Sequence, residues 1–442
     1  MKAFIETIKN IYKIEELRSR IGYTLLILII YRLGAHIVLP TVDPNLLNIQ
    51  TQGVLGILDM FSGGAFSRAS IFALGIMPYI SASIVVQLLG IAVPYFQRLQ
   101  KEGESGRRRI NQITRYLTIL ILLVQAPSYL NVIPDNAWVP TLTRAWRVFL
   151  SVSILTSGTM FIMWLGERIT DKGIGNGISL IIMIGIIARF PFSVLTELTS
   201  RLEKSGGGLV MFLVEIVFLF LVFVISILLV QGTRRIPVQY AKRIVGNKQY
   251  GGVRQYIPLK VNAAGVMPII FAQAIVMLPL TFAQKAAMSQ NASGFIAAFA
   301  NPTGFWYNFT NALLIVLFTY FYTAITINPT QMAEDMKKNG GFIPGIKPGR
   351  KTAEFLDTIM SRITLPGSLF LALVAILPAF AMMANVSRGF AYFYGGTSLL
   401  IMVGVILDTL QQIESHLLMR HYDGLMKSGR IKGRAGGVAS AI

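Results

Sequence analysis

The chain has 442 residues, of which 54% are hydrophobic and only 14% are charged, and its mean hydropathy is +0.61. This composition excludes an ordinary soluble protein, which needs more charged residues to cover its surface. The long apolar run of 209–230 does not alternate between apolar and polar residues, which excludes the strands of a membrane β-barrel. The chain holds no cysteine, which excludes disulfides, thiolate metal sites and a cysteine nucleophile.

The first 20 residues are polar and basic, and they precede the first apolar run. This pattern predicts a cytoplasmic amphipathic segment, 1–20, that lies along the membrane surface. A plain hydrophilic lead-in is the alternative. No small-residue cleavage site follows the segment, so we do not expect a cleavable signal peptide. The apolar residues at helical spacing are Phe4, Ile8, Ile11 and Ile14.

Ten segments are apolar and long enough to cross a bilayer, which takes about 20 residues. The sequence therefore predicts an all-α polytopic membrane protein with ten transmembrane helices. An even number of spans places both termini on one side of the membrane. The predicted spans lie near 21–39, 74–93, 115–134, 147–166, 177–196, 209–230, 262–282, 310–328, 365–384 and 392–412.

Basic residues are concentrated on one side of this predicted topology. With a cytoplasmic N-terminus, most of the 40 lysines and arginines fall in the N-terminal segment, the loops after even-numbered spans and the tail, 413–442. The positive-inside rule therefore predicts that both termini are cytoplasmic. The net charge of +20 then lies mainly on the cytoplasmic face.

Two long cytoplasmic loops, 232–261 and 328–364, are candidates for partner binding, because long loops are commonly functional. A basic loop attracts RNA, acidic protein surfaces or lipid headgroups. The alternative is that the charges only set topology, and it stays open for the basic loop after span 2. For 232–261 we favour partner binding, because topology needs fewer charges. That loop has no acidic residue and carries Arg234, Arg235, Lys242, Arg243, Lys248, Arg254 and Lys260.

The stretch 59–87 is too polar for a helix that faces lipid. Irregular or polar backbone at membrane depth survives only where protein or a water-filled cavity surrounds it. We therefore expect a wet interior with a short helical element lodged in it. The residues responsible are Ser62, Gly63, Gly64, Ser67, Arg68, Ser70, Pro78, Ser81 and Ser83.

Polar residues in the spans have two interpretations. Ser81, Ser83 and Gln87 lie on span 2, and Asn262 opens span 7. Such residues can hold helices together through hydrogen bonds of about 0.6–2 kcal/mol. They can also form a seam that opens to admit a guest.

Ionisable residues within the spans are few, and Arg32, Glu215 and Asp408 lie near span ends. An ion-coupled transporter usually places such residues near the midplane, and this sequence shows no convincing cluster of them there. A secondary transporter of small solutes stays the alternative function, because a ten-span chain with broken helices also permits one. An intramembrane enzyme is disfavoured, because the sequence lacks the metalloprotease, serine-elbow and phosphate-loop motifs. We expect no catalytic residue, no metal and no cofactor.

Nine motifs, in order along almost the whole chain, resemble the SecY family of protein-translocation channels. Each motif alone is modestly specific, whereas the ordered set is highly specific. The motifs are 60–87, 101–109, 158–167, 173–179, 240–243, 258–262, 342–349, 362–367 and 395–401.

The resemblance implies two pseudo-symmetric inverted halves, 21–196 and 209–412, around a central pore. It implies a plug at 61–74, which includes Phe61, Ser62, Gly63, Gly64, Ser67 and Arg68. It implies a pore ring of Ile76, Ile80, Ile182, Ile270 and Ile401. It implies a lateral gate whose seam includes Ser81, Gln87, Asn262 and Phe271. It also implies docking of the ribosome and of a motor protein at Arg235, Arg243, Lys248 and Lys347.

The resemblance further implies a passive channel that passes unfolded polypeptides across the bacterial cytoplasmic membrane and releases apolar segments sideways into lipid. The implied partners are the small subunits SecE and SecG, the motor ATPase SecA, the ribosome, secretory and membrane-protein clients, and the lipid bilayer. Two positions depart from the family pattern. Lys347 replaces an arginine and lacks its planar fork, and Asn247 stands where many relatives carry a basic residue.

Overall fold

The computed structural model describes residues 14–47, 54–140, 143–203, 208–240, 243–245, 248–250, 254–273, 275–276 and 303–427. Several sequence predictions lie wholly or partly outside these residues. They are the surface segment before residue 14, span 7 beyond 276, Asn247, the side chains of Arg243 and Lys248, and the tail beyond 427.

The first half of the chain is helical. Its helices are α1 (Glu15–Gly34), α2 (Val54–Phe61), α3 (Met77–Ala92), α4 (Pro94–Lys101), α5 (Glu104–Leu130), α6 (Arg144–Lys172) and α7 (Gly177–Glu203). The second half contains α8 (Gly208–Gln231), a helical segment at 267–273, α9 (Phe305–Thr326), α10 (Pro329–Lys338), α11 (Arg350–Met383), α12 (Arg388–Ala391) and α13 (Gly396–Lys427).

Within the described residues, seven helical segments are long and apolar enough to span a bilayer, and the bent pair α3–α4 raises the number to eight. Of the other predicted spans, span 1 corresponds to the 20-residue α1, whose ends carry charged residues. Span 7 is only partly described. The prediction of a polytopic helical membrane protein is confirmed.

Helix α3 ends abruptly, and α4 leaves it at an angle of 97°. Pro94 causes the turn, because proline disfavours a helical conformation in the residue before it. Val93 is accordingly extended, with φ −112° and ψ 121°. The chain therefore turns aside at the predicted end of span 2.

Strands on the predicted cytoplasmic side are an addition to the all-helical prediction. β1 (Thr233–Tyr240) pairs antiparallel with β4 (Arg254–Lys260) and with β5 (Gly341–Phe342), in the order β4-β1-β5. β2 (Arg243–Val245) and β3 (Lys248–Tyr250) form a separate hairpin. The strands thereby join the two loops that we predicted to dock partners.

These joined loops have their own apolar core. Ile236 and Val238 of β1 are buried while Arg235 and Pro237 are exposed, as the period of a half-buried strand requires. They pack with Leu259 of β4 and with Leu356 and Met360 of α11. We call this unit, formed by 233–260 and 327–360, the cytoplasmic module.

Helix α7 lies at the junction of the two halves. It contacts α2 and α6 of the first half, and α8, α12 and α13 of the second half. Near its end, Arg201 bonds Glu197 at 2.8 Å and Glu215 of α8 at 2.5 Å. Glu197 also accepts the backbone N–H of Ser387 at 2.7 Å. We call Arg201, Glu197 and Glu215 the buried triad.

The buried triad yields a stability prediction. Arg201→Met leaves two carboxylates buried and unpaired, so it should lower the free energy of unfolding by about 3–5 kcal/mol. Combining Arg201→Met with Glu197→Gln and Glu215→Gln should recover part of that loss. The measurement is denaturant unfolding of the purified chain in detergent.

Arg20→Met is the control, because Arg20 pairs with Glu16 where both side chains are at least one-third exposed. It should cost less than about 1 kcal/mol. Equal losses for Arg20→Met and Arg201→Met would contradict the stabilising role of the triad.

Candidate functional site

The plug segment is less helical than predicted. We expected a short helix within 61–74, whereas the helix lies at Val54–Phe61 and the chain then runs through turns to residue 76. We call residues 54–76, which comprise this helix and these turns, the plug segment. The correction has a backbone cause. Gly63 and Gly64 have φ values of 64° and 86°, a region that glycine enters without a steric penalty and that ends a right-handed helix. Ser62, Gly63 and Gly64 are buried, and Phe61, Ser67 and Arg68 are half-buried.

Helices α1 and α7 hold the plug segment by close contact with its backbone. A Cβ atom built at Gly185 of α7 would lie 2.7 Å from the carbonyl oxygen of Phe61, so only glycine fits there. Beside it, the carbonyl oxygen of Gly63 accepts hydrogen bonds from Arg32 of α1 at 3.2 Å and from Arg68 at 3.1 Å. The plug segment therefore lies directly against α1 and α7.

An ion pair adds a second attachment. Arg189 of α7 donates from Nη2 to Oδ2 of Asp59 on α2, and also to Oγ of Ser67 at 3.0 Å. The other carboxylate oxygen of Asp59 accepts the backbone N–H of Ser67 at 2.8 Å. The carboxylate of Asp59 thus links α2, the turns that follow it and α7.

The far side of the plug segment is bonded to α5 and to the chain that follows α1. The hydroxyl of Tyr129 donates to the carbonyl oxygen of Phe66 at 2.8 Å. The N–H of Leu39 donates to the carbonyl oxygen of Ala69 at 2.8 Å, and the N–H of Ile71 donates to that of Ile37 at 2.9 Å. These bonds explain why span 1 ends as a helix at Gly34 rather than at residue 39.

The five isoleucines predicted to form a ring belong to one apolar cluster. Ile76 and Ile80 come from the start of α3, Ile182 from α7 and Ile401 from α13, and all four are buried. Ile270, in the segment 267–273, is half-buried and packs against this cluster. The plug-segment side chains that belong to the same cluster are Met60, Ala65 and Phe72.

The predicted gate residues differ in their surroundings. Ser81 is half-buried, and Gln87 donates to Ser83 of its own helix at 3.3 Å, so this bond does not cross a seam. Asn262 is buried, and its Oδ1 has no hydrogen-bond partner. Phe271 is 1% exposed. It makes edge-to-face contacts with Phe318 and Tyr322 of α9, with ring centroids 6.0 and 5.8 Å apart.

The described docking residues lie on the surface of the cytoplasmic module. Arg235 is exposed on β1. Lys347 is exposed in the turn between Gly345 and Gly349, which have φ values of 86° and 100°. The backbone oxygen of Lys347 accepts a bond from Thr352 at 3.0 Å. The predicted docking residues Arg243 and Lys248 lie on opposite strands of the β2–β3 hairpin, whose register pairs them with Tyr250 and Val245.

Sequence reasoning missed Asp59, Arg189 and Arg201 as functional candidates. Arg189 lies near the end of predicted span 5, and Arg201 lies just beyond it among other charged residues, a pattern typical of a solvated helix end. Asp59 and Arg189 are 130 residues apart, so no local spacing connects them. The available signal was the placement of Asp59 at the edge of a segment that already read as too polar for lipid.

Comparison with known proteins identifies the family of the chain. Residues 70–410 match the profile of the SecY family. The "Protein translocase subunit SecY" of Chlamydia trachomatis is 40% identical, and the alignment covers 97% of this chain and 99% of that protein. The protein of the same name from Streptomyces scabiei is 42% identical, with 94% and 98% covered.

Solved structures share the fold. A structure described as that of a protein-conducting channel has a TM-score of 0.66 at 17% identity and covers 94% of this chain and 95% of its own. Canine Sec61 in a ribosome–channel complex has a TM-score of 0.62 at 16% identity, with the same coverage. At this identity the likeness concerns the fold. The sequence relatives and the family profile together show that the chain belongs to the SecY family.

Proposed function

We propose that the chain is the pore-forming subunit of a protein-conducting channel, with the cluster of five isoleucines as its constriction. The observation that carries the proposal is that one apolar cluster contains Ile76, Ile80, Ile182 and Ile401 together with plug-segment side chains, and that Ile270 packs against this cluster. The family is one of translocase subunits, so the chain is a channel subunit and not an enzyme. Its two halves, 21–196 and 209–412, move about the junction at α7 and α8.

The constriction acts through its apolar character. The branched apolar side chains form a hydrophobic constriction that dewets. A dewetted constriction blocks ion flow without any charged residue. In the closed channel the plug segment packs against the same side chains. An unfolded polypeptide would displace the plug segment, and the isoleucines would then close around the chain.

The lateral gate lies between the region of α3 that carries Ser81 and Gln87 and the start of span 7. The burial of Asn262 with an unpartnered Oδ1 supports this assignment, because an unpaired polar atom in the interior makes the closed contact easier to open. Apolar segments of a client would leave through this seam, since burial in lipid favours them by about 25 cal/mol per Å².

The chain acts in the bacterial cytoplasmic membrane with both termini in the cytoplasm. The partners are SecE, SecG, the motor SecA, the ribosome and the secretory and membrane-protein clients. Support for ribosome binding comes from the fold, since related folds occur in canine and yeast complexes with ribosomes. It comes also from the exposed Arg235 and Lys347 on one cytoplasmic module.

The transporter alternative would need ionisable residues that form a relay near the midplane. Glu215 pairs with Arg201, Arg32 bonds the backbone of Gly63, and Asp408 is exposed. These three residues are therefore structural or solvated, and none of them forms a midplane relay.

The constriction can be tested by polar substitution. Ile80→Ser combined with Ile270→Ser should let water enter, and a loss of about 1.4 kcal/mol from the barrier raises conductance tenfold. We therefore expect at least that increase in the ion conductance of the resting channel in planar bilayers. The control is Ile29→Ser with Ile325→Ser, two exposed positions. Equal conductance of both double variants would exclude the ring.

The gate can be tested by crosslinking, which is clean because the chain has no cysteine of its own. Ser81→Cys with Phe271→Cys should crosslink and block export of a secretory precursor, since the two halves can no longer separate. The control is Thr41→Cys with Ser151→Cys, whose native hydroxyls are 2.7 Å apart within one half. Free export after confirmed crosslinking of the two thiols introduced at positions 81 and 271 would remove the gate.

The cytoplasmic module can be tested by charge reversal. Arg235→Glu with Lys347→Glu should weaken ribosome binding, and each lost phosphate contact should lower the salt dependence of the binding constant by about one charge. Binding of the chain to ribosomes is measured across a salt series. Arg98→Glu with Lys172→Glu, two exposed residues outside the module, makes the same change in net charge. Identical binding by both double variants would leave Arg235 and Lys347 as topology signals.

A further inference from the structure

We propose that Asp59 and Arg189 are positioning residues that latch the plug segment in the closed channel. The proposal rests on the proposed function, because a latch matters only if the plug segment closes a pore. It assigns a specific charge pair to the regulation of that pore. Their interaction belongs to the closed arrangement, so its loss should shift the plug segment toward displacement.

The first argument is the position of the pair. Asp59 lies on α2, the helix of the plug segment, whereas Arg189 lies on α7, which also supplies Ile182 of the constriction. The guanidinium of Arg189 covers Gly64 so closely that a Cβ atom there would lie 2.9 Å from its Nε. Displacement of the plug segment must therefore break the pair.

The second argument is the distribution of burial. The side chain of Asp59 is 5% exposed, whereas that of Arg189 is 34% exposed. A buried carboxylate without its partner is costly, because it has lost its water and gained nothing in exchange. Asp59 consequently gives the plug segment a strong preference for the one position in which Arg189 meets it.

The third argument is charge balance. Arg68 of the plug segment and Arg32 of α1 both donate to the carbonyl oxygen of Gly63, so two further cations lie beside the pair. Asp59 is the only acidic residue in the described segment 54–76. Without its negative charge, the cation of the plug segment would face the cations of α1 and α7, and like charges repel. The Asp59–Arg189 pair therefore attracts the plug segment to α7. The negative charge of Asp59 also offsets the repulsion between Arg68 and the arginines of α1 and α7.

The other hydrogen bonds from the surrounding helices to the plug segment, and its close packing at Gly185, are less selective. The bonds of Arg32 and Tyr129 reach backbone oxygens, and the packing at Gly185 is steric. Such contacts depend on the fold of the segment and not on one particular side chain of it. The Asp59–Arg189 pair can be removed by substitutions that leave the backbone unchanged.

The test measures how often the plug segment leaves its position. Met60 is 7% exposed beside Asp59, and the chain has no cysteine. Met60→Cys therefore provides a single reporter thiol that reacts with a membrane-impermeant maleimide only when the segment is displaced. The reporter is placed in the full chain, in reconstituted membranes. Its reaction rate measures the displaced fraction.

We expect Asp59→Asn and Arg189→Met each to raise the labelling rate of the reporter by about tenfold. The double variant should label no faster than the faster single variant, because both changes remove one interaction. Raising the salt concentration should accelerate labelling in the parent and not in Asp59→Asn, since salt screens the half-exposed partner. The control is Arg115→Met, which breaks a pair with Glu167 that does not touch the plug segment.

Three results would overturn the latch: unchanged labelling in both single variants, multiplied effects in the double variant, or equal salt dependence in the parent and Asp59→Asn. If Arg189→Met fails to fold, the near-isosteric Asp59→Asn and its salt series still decide the question. Export of a secretory precursor by the parent is measured in parallel. A parent that exports while labelling stays unchanged contradicts the latch alone, and a parent that never exports contradicts the proposed function.

Discussion

The structure at the centre of this molecule depends on one constraint: polar backbone groups that are shielded from water need hydrogen-bond partners. A chain that is not helical at membrane depth finds no hydrogen-bond partners in lipid, so the protein must supply them. The turns after α2 meet this requirement through Arg32 and Arg68 on the carbonyl oxygen of Gly63, and Tyr129 on that of Phe66. The bonds from Arg32 and Tyr129 tie the plug segment to α1 and α5, and each must be exchanged for another when the segment moves. The bond from Arg68 lies within the segment.

Helix α7 receives a large share of these ties, and it also joins the two halves. Gly185 and Arg189 hold the plug segment, Ile182 contributes to the apolar cluster, and Arg201 bonds Glu215 of α8. A rotation of the proposed halves about this junction would therefore move the helix against which the plug segment packs. The plug segment and the junction of the halves thus share one rigid helix, so coupling between them needs no long pathway.

The membrane helices could be predicted from sequence because long apolar runs have few alternatives in lipid. The ends of these helices could not be predicted in the same way. Helix α11, for example, continues from Arg350 to Met383, because its polar part packs on the cytoplasmic module. The strand β1 was missed because its alternation covers only Ile236, Val238 and Tyr240 amid basic residues. The pairing of Asp59 with Arg189 was beyond reach, since it depends on how separate helices meet in three dimensions.

The apolar cluster and the charge pair suit different tasks for a physical reason. Apolar contact has no direction, so isoleucines can pack against a plug, against each other or around any client with little difference in energy. An ion pair depends on geometry, and Arg189 meets Asp59 in one position of the plug segment. The isoleucine cluster must close around clients of many shapes, whereas the Asp59–Arg189 pair must recognise one position of the plug segment. A pore closed by Ile80 and its neighbours alone would seal without favouring the seated plug, and the pair adds that preference without narrowing the passage.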